Sequence, residues 1–297
     1  MADAPTHEPV LVAEVVDALQ PARGGVFADC TLGLGGHTRA LLDAGADRVI
    51  GIDRDRDAIA EALRRLGPLA SRVDGVHADY RELPAVLASK GLTTVAGLVA
   101  DLGVSSAQLE GPGRGFSFRR DEPLDMRMDR SAGPTAAELV NTASEQELAD
   151  VIFRYGEERH ASRIARAITA SRPVETTGAL AAIVRRAVPS RGWQRIDPAT
   201  RTFQAIRIWV NRELDGLDGF VRDAAAALGV GARMAVITFH SLEDRIVKHT
   251  MRALGAEAPG RFRVLTKKPI VPSDAEVARN SRARSAKLRV GERPALA

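Results

Sequence analysis

Four aspartates, Asp29, Asp53, Asp79 and Asp101, stand in or beside the ends of four apolar runs that read as strands. After the first comes TLGLGGHT, in which Gly33, Gly35 and Gly36 lead into His37. A glycine loop between a strand and a helix lets a ligand lie against the backbone and turns the helix's N-terminal amides toward it. Such a loop holds either a dinucleotide pyrophosphate or the small zwitterionic end of S-adenosylmethionine, and the two ligands carry opposite charge. Asp53, at the second strand end, can accept two hydrogen bonds from a ribose diol and serves either ligand. Asp29 and Asp101 discriminate: carboxylates beside the loop repel a pyrophosphate and attract a sulfonium and an α-ammonium group. The dinucleotide fingerprint G-x-G-x-x-G also breaks, because Thr38 stands where the third glycine belongs. These residues favour S-adenosylmethionine over a dinucleotide.

Each position also has a plainer role. An aspartate after a strand is a common helix N-cap, although four in register around one crevice argue for a ligand. His37 either begins a helix whose amides receive the cofactor's carboxylate or is an ordinary helix-start residue. Cys30, the only cysteine, reads as a small packing residue. Asp101 opens the polar, glycine-bearing loop DLGVSSAQLEGPGRGFSFRRDEPLDMRMD, too elaborate for a connector. A carboxylate there can accept a hydrogen bond from the amino group of cytosine or adenine. An exocyclic amine is a weak nucleophile because its lone pair is delocalised into the ring. Holding its hydrogens on oxygen acceptors aligns that lone pair with a methyl donor, so positioning and electrostatics carry the transfer. Asp101 is therefore a candidate catalytic group, with a cofactor contact as the alternative. Further along, HSLEDR superficially suggests hydrolase chemistry at His240, but Ser241 lies on no G-x-S-x-G elbow. A serine followed by Glu243 and Asp244 reads instead as a helix N-cap, structural or lining the substrate.

The elements that must position these groups alternate along the N-terminal third. GVFADC, DRVIGID, RVDGVHADY and VAGLVADLG read as strands, separated by the helical patterns HTRALLDAG, RDAIAEALRRLG and LPAVLASKG. That rhythm implies a mostly parallel twisted sheet with helices on both faces, an α/β Rossmann-like architecture. From 110 to 205 no strand pattern is found, only helical stretches such as EQELADVIFRYG and ASRIARAITASR. The rhythm resumes with LDGLDGFVRDAAAALG and the strand RMAVITF. The expected organisation is an α/β domain of residues 1–109 and 206–297 carrying an inserted all-helical domain, 110–205. The tail, with two β-like runs around a basic segment, suggests a terminal hairpin on the sheet edge.

The chain has 297 residues, 45% of them hydrophobic and only 4% aromatic, which suits a large α/β core better than an aromatic-rich sandwich. One cysteine excludes a disulfide framework and a four-cysteine zinc site; no metal is expected, and a reducing cytoplasm is the expected location. The first residues lack the charged, apolar and small-residue order of a signal peptide, and no apolar run reaches the length of a membrane span. The net charge of +4 is uneven: residues 154–212 hold 12 arginines against four acids, and residues 261–297 hold 10 Lys or Arg against three. An acidic body with two basic regions fits a polyanion partner, the plainer alternative being solvated arginine faces on helices.

The segments HEPVL, DCTLGLGGHT, DLGVSSAQLEGPGRGFSFRRDEPLDMRMD, YGEERHASRIARAI, DPATRTFQAIRIWVNREL, TFHSLEDRIVK and NSRARSAKLR stand in an order that resembles the bacterial ribosomal RNA small subunit methyltransferase H family, from residue 7 to 293. The block 101–129 is the most specific of them. The resemblance implies a class I methyltransferase domain with a helical insert, and methyl transfer from S-adenosylmethionine to N4 of a cytidine in the decoding region of 16S ribosomal RNA. It implies cofactor contacts at Gly35, Gly36, His37, Asp53, Asp101 and Gln108, with Tyr80 flanking the adenine, where a ring can stack. The basic regions, with Arg201, Arg207 and Arg212 among them, then become candidates for gripping the RNA of the small ribosomal subunit around a target base drawn out of its stack. Two positions depart from the pattern: Ser281 stands where proline is expected, and His7 is followed by Glu8 rather than an apolar residue.

Overall fold

The computed structural model describes residues 9–105, 108–109, 111–188, 197–257 and 260–295; the departure at His7 and Glu8 lies outside them. In chain order the first part comprises α1 (Val12–Leu19), β1 (Val26–Asp29), α2 (Gly36–Asp43), β2 (Arg48–Asp53), α3 (Arg56–Leu66), β3 (Val73–His77), α4 (Leu83–Ser89) and β4 (Val95–Asp101). Helices α5 (Ala136–Thr142), α6 (Glu145–Gly156), α7 (Ala161–Ala170), α8 (Thr177–Ala187) and α9 (Ala199–Asn211) follow. The chain ends with α10 (Leu217–Ala226), β5 (Leu228–Thr238), α11 (Ser241–Glu257), β6 (Arg263–Val264), α12 (Asp274–Arg279) and β7 (Lys287–Glu292).

The chain divides into two compact units, 1–103 with 216–297, and 104–215. The break expected at 205/206 would cut α9 in half. Its buried face, including Ala199, Phe203 and Ile206, belongs to the helical core, so the helix stays whole and the boundary moves to its far side.

The first unit is one seven-stranded sheet of order β3-β2-β1-β4-β5-β7-β6. β1 to β5 pair in parallel, and β7 runs antiparallel to both of its neighbours. Position in the sheet explains the residues of each strand. β4 and β7 are almost wholly buried, whereas the edge strand β3, VDGVH, is partly exposed throughout. The two β-like runs of the tail form an antiparallel pair, β6 and β7, at the opposite edge of the sheet, as their pattern suggested. β7 is inserted between β5 and the two-residue β6, so it is a central strand covered on both sides. A central strand can carry Arg289 at 5% exposure only with a partner. Asp244 on α11 supplies it, with Oδ1 accepting from Nε at 2.7 Å and Oδ2 from Nη2 at 3.2 Å.

Helix α1 adds an element before the first expected strand. It starts at Leu11, a buried residue in the left-handed conformation (φ 56°) whose N–H donates to Glu276 at 2.8 Å. Val10, Leu11, Val15 and Leu19 share a core cluster with Phe27, Leu41, Ile237, Leu288 and Val290, so the beginning and end of the chain are packed together over the sheet. Ser281, the departure from proline, occupies the first position of a short 3-10 turn. An N–H at that position has no helical acceptor, so proline's missing donor and serine are equivalent there.

The second unit closes around Leu148, Ile152, Ile164, Ile168, Leu180, Val184 and Phe203, all facing inward on α6 to α9. Side-chain caps fix where the helices begin: Thr135 with Glu138 forms a capping box on α5, and Ser144 and Thr176 cap α6 and α8. The segment 111–134 has no regular element of its own yet is pinned at both sides. Its backbone bonds to the start of α8 through Thr177 N to Glu122 O (2.9 Å), and Arg114 donates to Met128 O (2.9 Å). Asn211, 8% exposed, accepts from Met128 N and donates to Met126 O, each at 2.8 Å.

Asn211→Ala leaves a buried N–H and a buried C=O without partners, a loss of about 2–3 kcal/mol. The urea midpoint of the chain is expected to fall, with Asn211→Asp, which keeps only the acceptor, falling in between. An unchanged midpoint in Asn211→Ala would show that the pin contributes nothing.

Candidate functional site

β1 and β4 lie side by side, and the chain leaves them in opposite directions across the sheet. Such a switch point opens a crevice at the carboxyl ends of the strands. The segment from Cys30 to Gly35 crosses it and is held to the sheet by its own backbone: Cys30 N donates to Val99 O and Leu32 N to Ile52 O, both at 2.9 Å. Two side chains complete the anchorage. Asp29, 1% exposed, accepts from Thr31 N at 3.2 Å and from the Thr38 hydroxyl at 2.8 Å. Thr31 Oγ1 in turn accepts from Asp101 N at 2.6 Å. Asp29 is thus a brace, and any attraction it exerts on a cation acts through the field from beneath the loop. Burial pushes its carboxyl above the usual range, with His37, Thr38 and Thr31 pulling less strongly the other way. Thr31 was not singled out from the sequence, since one threonine in a loop carries no pattern.

The glycines owe their presence to the fold itself. Gly33 (φ 51°) and Gly35 (φ 80°) adopt the left-handed conformation that side chains disfavour. At Gly36 the backbone is ordinary, but a Cβ would lie 2.7 Å from Cγ and 2.9 Å from Cβ of Pro9. Space at Gly36 is therefore filled by the N-terminal segment, whereas the sequence reading had both glycines admit the ligand.

The three remaining strand-end acids differ in what they touch. Asp53 accepts from Gly33 N (2.7 Å) with Oδ2 and from Asp55 N (2.9 Å) with Oδ1; burial raises its carboxyl to about 6, those two amides opposing it. Asp79 takes the plainer role. It forms a capping box with Glu82, and although burial pushes its carboxyl up, the guanidiniums of Arg81 and Arg54 outweigh burial and bring it to about 2. Tyr80 beside it is half-buried, edge-on to Phe220 at 4.6 Å between ring centres, with the Arg81 guanidinium 5.7 Å over its ring. Asp101 is the exception. Its Oδ1 is buried with no hydrogen-bond partner, and Oδ2 lies 3.5 Å from Nε2 of His37.

Gln108 lies in the second unit, buried, with Oε1 accepting from Ser105 N at 3.0 Å. In the HSLEDR segment the cap is one residue earlier than expected: Ser241 is the first helical residue of α11. Glu243, 2% exposed, reaches back to Phe239 N at 2.9 Å, and His240 Nδ1 accepts from Glu243 N at 3.4 Å, the ring taking the place of a capping hydroxyl.

The basic regions contain fewer available cations than their sequence suggests. Arg207 is held bidentately by Glu213 at 2.8 and 2.7 Å, Arg212 contacts Asp215 at 2.7 Å, and Arg201 lies 3.6 Å from Glu158. Arg172 donates to backbone carbonyls, and Arg263, Lys287 and Arg289 are committed to Glu292 or Asp244. Exposed and, among the described residues, without an acid partner are Arg154, Arg159, Arg163 and Arg186 in the helical unit, and Arg261, Lys267, Lys268 and Arg284 in the other.

An orphan buried acceptor at Asp101, a carboxylate at Asp53 and a third acid beneath the loop fit a ligand with cationic centres and a ribose, and oppose a pyrophosphate. Gly36→Ala is expected to lower the melting temperature through the clash with Pro9, a cost of about 1–3 kcal/mol. Pro9→Gly in the same chain restores it, whereas Pro9→Ala, which keeps its Cβ, restores less. Equal melting temperatures for the single and double variants would refute the contact.

Residues 4–294 match the MraW methylase family. A ribosomal RNA small subunit methyltransferase H from a Cyanothece species is 51% identical over 97% of this chain and 94% of its own length. Proteins of the same name from Sorangium cellulosum and Bradyrhizobium diazoefficiens are 50% and 49% identical, over 97% and 99% of this chain and 90% and 93% of theirs. With end-to-end matches at this level of identity, the chain belongs to the MraW methylase family.

Proposed function

We propose that the protein transfers a methyl group from S-adenosylmethionine to the exocyclic N4 of a cytidine in the decoding region of 16S ribosomal RNA. The observation that carries this reading is the unpartnered, buried Asp101 Oδ1 at the end of β4, next to the glycine loop. Bound there, S-adenosylmethionine supplies an electrophilic methyl group with a neutral thioether as leaving group. The protein's part is placement. Asp101 accepts a hydrogen from the cytosine amino group and draws its lone pair out of conjugation. Asp53 receives the ribose hydroxyls, Tyr80 flanks the adenine, and the backbone of Gly35, Gly36 and His37 receives the amino-acid end. No covalent nucleophile is required, and the one cysteine, Cys30, is buried with its thiol pushed well up by burial and by Asp29.

The eight exposed, unpaired cations named above support an RNA substrate. Contacts to phosphate help offset the few kcal/mol needed to draw a base from its stack. A small ribosomal subunit is the partner this reading implies, and the cytoplasm the place where the two meet. Among the described residues no helix is long and apolar enough to cross a membrane.

The test uses S-adenosylmethionine labelled in its methyl group and small ribosomal subunits from cells lacking the protein, followed by digestion of the RNA. Label is expected in N4-methylcytidine, and Asp101→Asn is expected to lose about a hundredfold in kcat or more while still binding cofactor. Label in another nucleoside, or none despite cofactor binding, rules the substrate out.

Asp53 adds a pH dependence. Its carboxyl titrates near 6 in the folded chain against an ordinary 3.8, so the folded state holds the extra proton between those values. The sign follows: its contribution to stability falls as pH rises through that window, and cofactor binding, which needs the carboxylate, strengthens over the same rise. Affinity for S-adenosylmethionine, measured by calorimetry, is expected to weaken as pH drops through 6, and Asp53→Asn to abolish that inflection. An inflection retained in the variant assigns it to another group.

A further inference from the structure

His37 is the second residue of α2 and is 5% exposed, yet neither ring nitrogen has a hydrogen-bond partner. Buried imidazoles are ordinarily satisfied, since each unpaired nitrogen forfeits its hydration. The ring is not isolated: Nε2 stands 3.5 Å from Asp101 Oδ2. Asp101, for its part, is fixed through its backbone N–H on Thr31, but among the described residues no hydrogen bond reaches its carboxylate. The imidazole is thus the group positioned to fix that carboxylate's orientation.

We propose that His37, as the imidazolium, is the positioning residue for Asp101, holding Oδ2 so that Oδ1 is presented to the amino group of the target base. The inference rests on the reading of Asp101 as the group that meets that amine, and it gives His37 a task other than contact with the cofactor. Charge is arranged to suit. The acids facing the ring are Asp101 at the end of β4 and Asp29 at the end of β1. Burial disfavours the imidazolium, but contact with Asp101 and the fields of both carboxylates outweigh it and raise His37 above its ordinary value.

The step balances as follows. The N4 lone pair forms the bond to the methyl carbon while the carbon–sulfur bond breaks, its electron pair remaining on sulfur. The methylated nitrogen then carries one proton too many, and Asp101 Oδ1 accepts it. The Asp101 side chain is 24% exposed, so that proton passes to solvent, and His37 retains its own throughout.

The experiment has two parts. In the first, the imidazole of His37 is titrated by NMR in the wild-type chain and in Asp101→Asn. The midpoint is expected above 6.5 in the former and lower in the latter. A midpoint at or below 6.5, or one that Asp101→Asn does not move, overturns the proposal, and this part needs no His37 variant to fold. In the second, kcat at saturating cofactor and the Kd for S-adenosylmethionine are measured against pH for wild type, His37→Gln and His37→Leu. Wild-type kcat falls at high pH as the imidazolium is lost. His37→Gln lacks that limb and loses about tenfold to a hundredfold in kcat, as removal of an orienting partner does. His37→Leu loses more, since Gln still offers an N–H to Oδ2, and Kd changes little in either. A Kd that rises while saturated kcat and its pH profile stay unchanged makes His37 a cofactor contact only and sinks the proposal. A wild-type chain that binds cofactor but methylates no cytidine defeats the functional reading instead, and the NMR coupling of His37 to Asp101 still decides the positioning contact.

Discussion

The site depends on one short relay of hydrogen bonds: Thr38 and Thr31 to Asp29, and Asp101 N to Thr31. It ties β1, the glycine loop, α2 and β4 together across the switch point of the sheet. Parallel strands bond only along their length, so nothing in the ladder itself fixes the loops beyond their ends. Without the relay, the backbone N–H of Asp101 would lose its partner and the glycine loop its tie to β4. With it, Asp101 is held by its main chain and its carboxylate is left over for chemistry. The two donors Asp29 receives offset part of the cost of burying it, and they occupy the acid most deeply placed.

The same logic separates the four aspartates that look alike in sequence. Asp29 braces, Asp79 caps a helical turn between two arginines, Asp53 receives two amides yet stays poised near 6, and only Asp101 keeps an orphan oxygen. Environment assigns these roles, since the residue type and its position after a strand are common to all of them. A carboxylate pinned by guanidiniums, like Asp79, holds its charge too tightly to accept a proton at neutral pH.

Much of the architecture was legible because it is written in periodicity. The strand ends at Asp29, Asp53 and Asp101 and the helix EQELADVIFRYG fall where the apolar pattern puts them. What escaped has physical reasons. The place of β7 inside the sheet depends on a pairing with β5 formed by residues far apart in sequence, and on Asp244 neutralising Arg289. The cap of α11 moved to His240 because a ring nitrogen can do what a hydroxyl does, which no capping rule for serine anticipates. The reason for Gly36 lies with Pro9, in another segment of the chain. Several of the arginines read as a surface charge proved to be half of an ion pair, their acids coming from other turns and helices.

The most recognisable stretch of the chain, 101–129, illustrates how specificity of sequence and chemistry can part. Among the described residues of this block, only Asp101 sits at a strand end with an unsatisfied oxygen. The DMRMD part is held by backbone bonds and by Asn211 and Arg114, and Asp125 spends its carboxylate on Arg127. A segment without helix or strand has no internal ladder to satisfy its amides, so each must be met by a particular side chain or carbonyl elsewhere. Gly115 shows how little latitude remains: a Cβ there would lie 2.5 Å from Pro123 O. Irregular backbone therefore constrains sequence more tightly than a helix does, because its bonds depend on which residue stands where. A long, specific motif follows from that accounting.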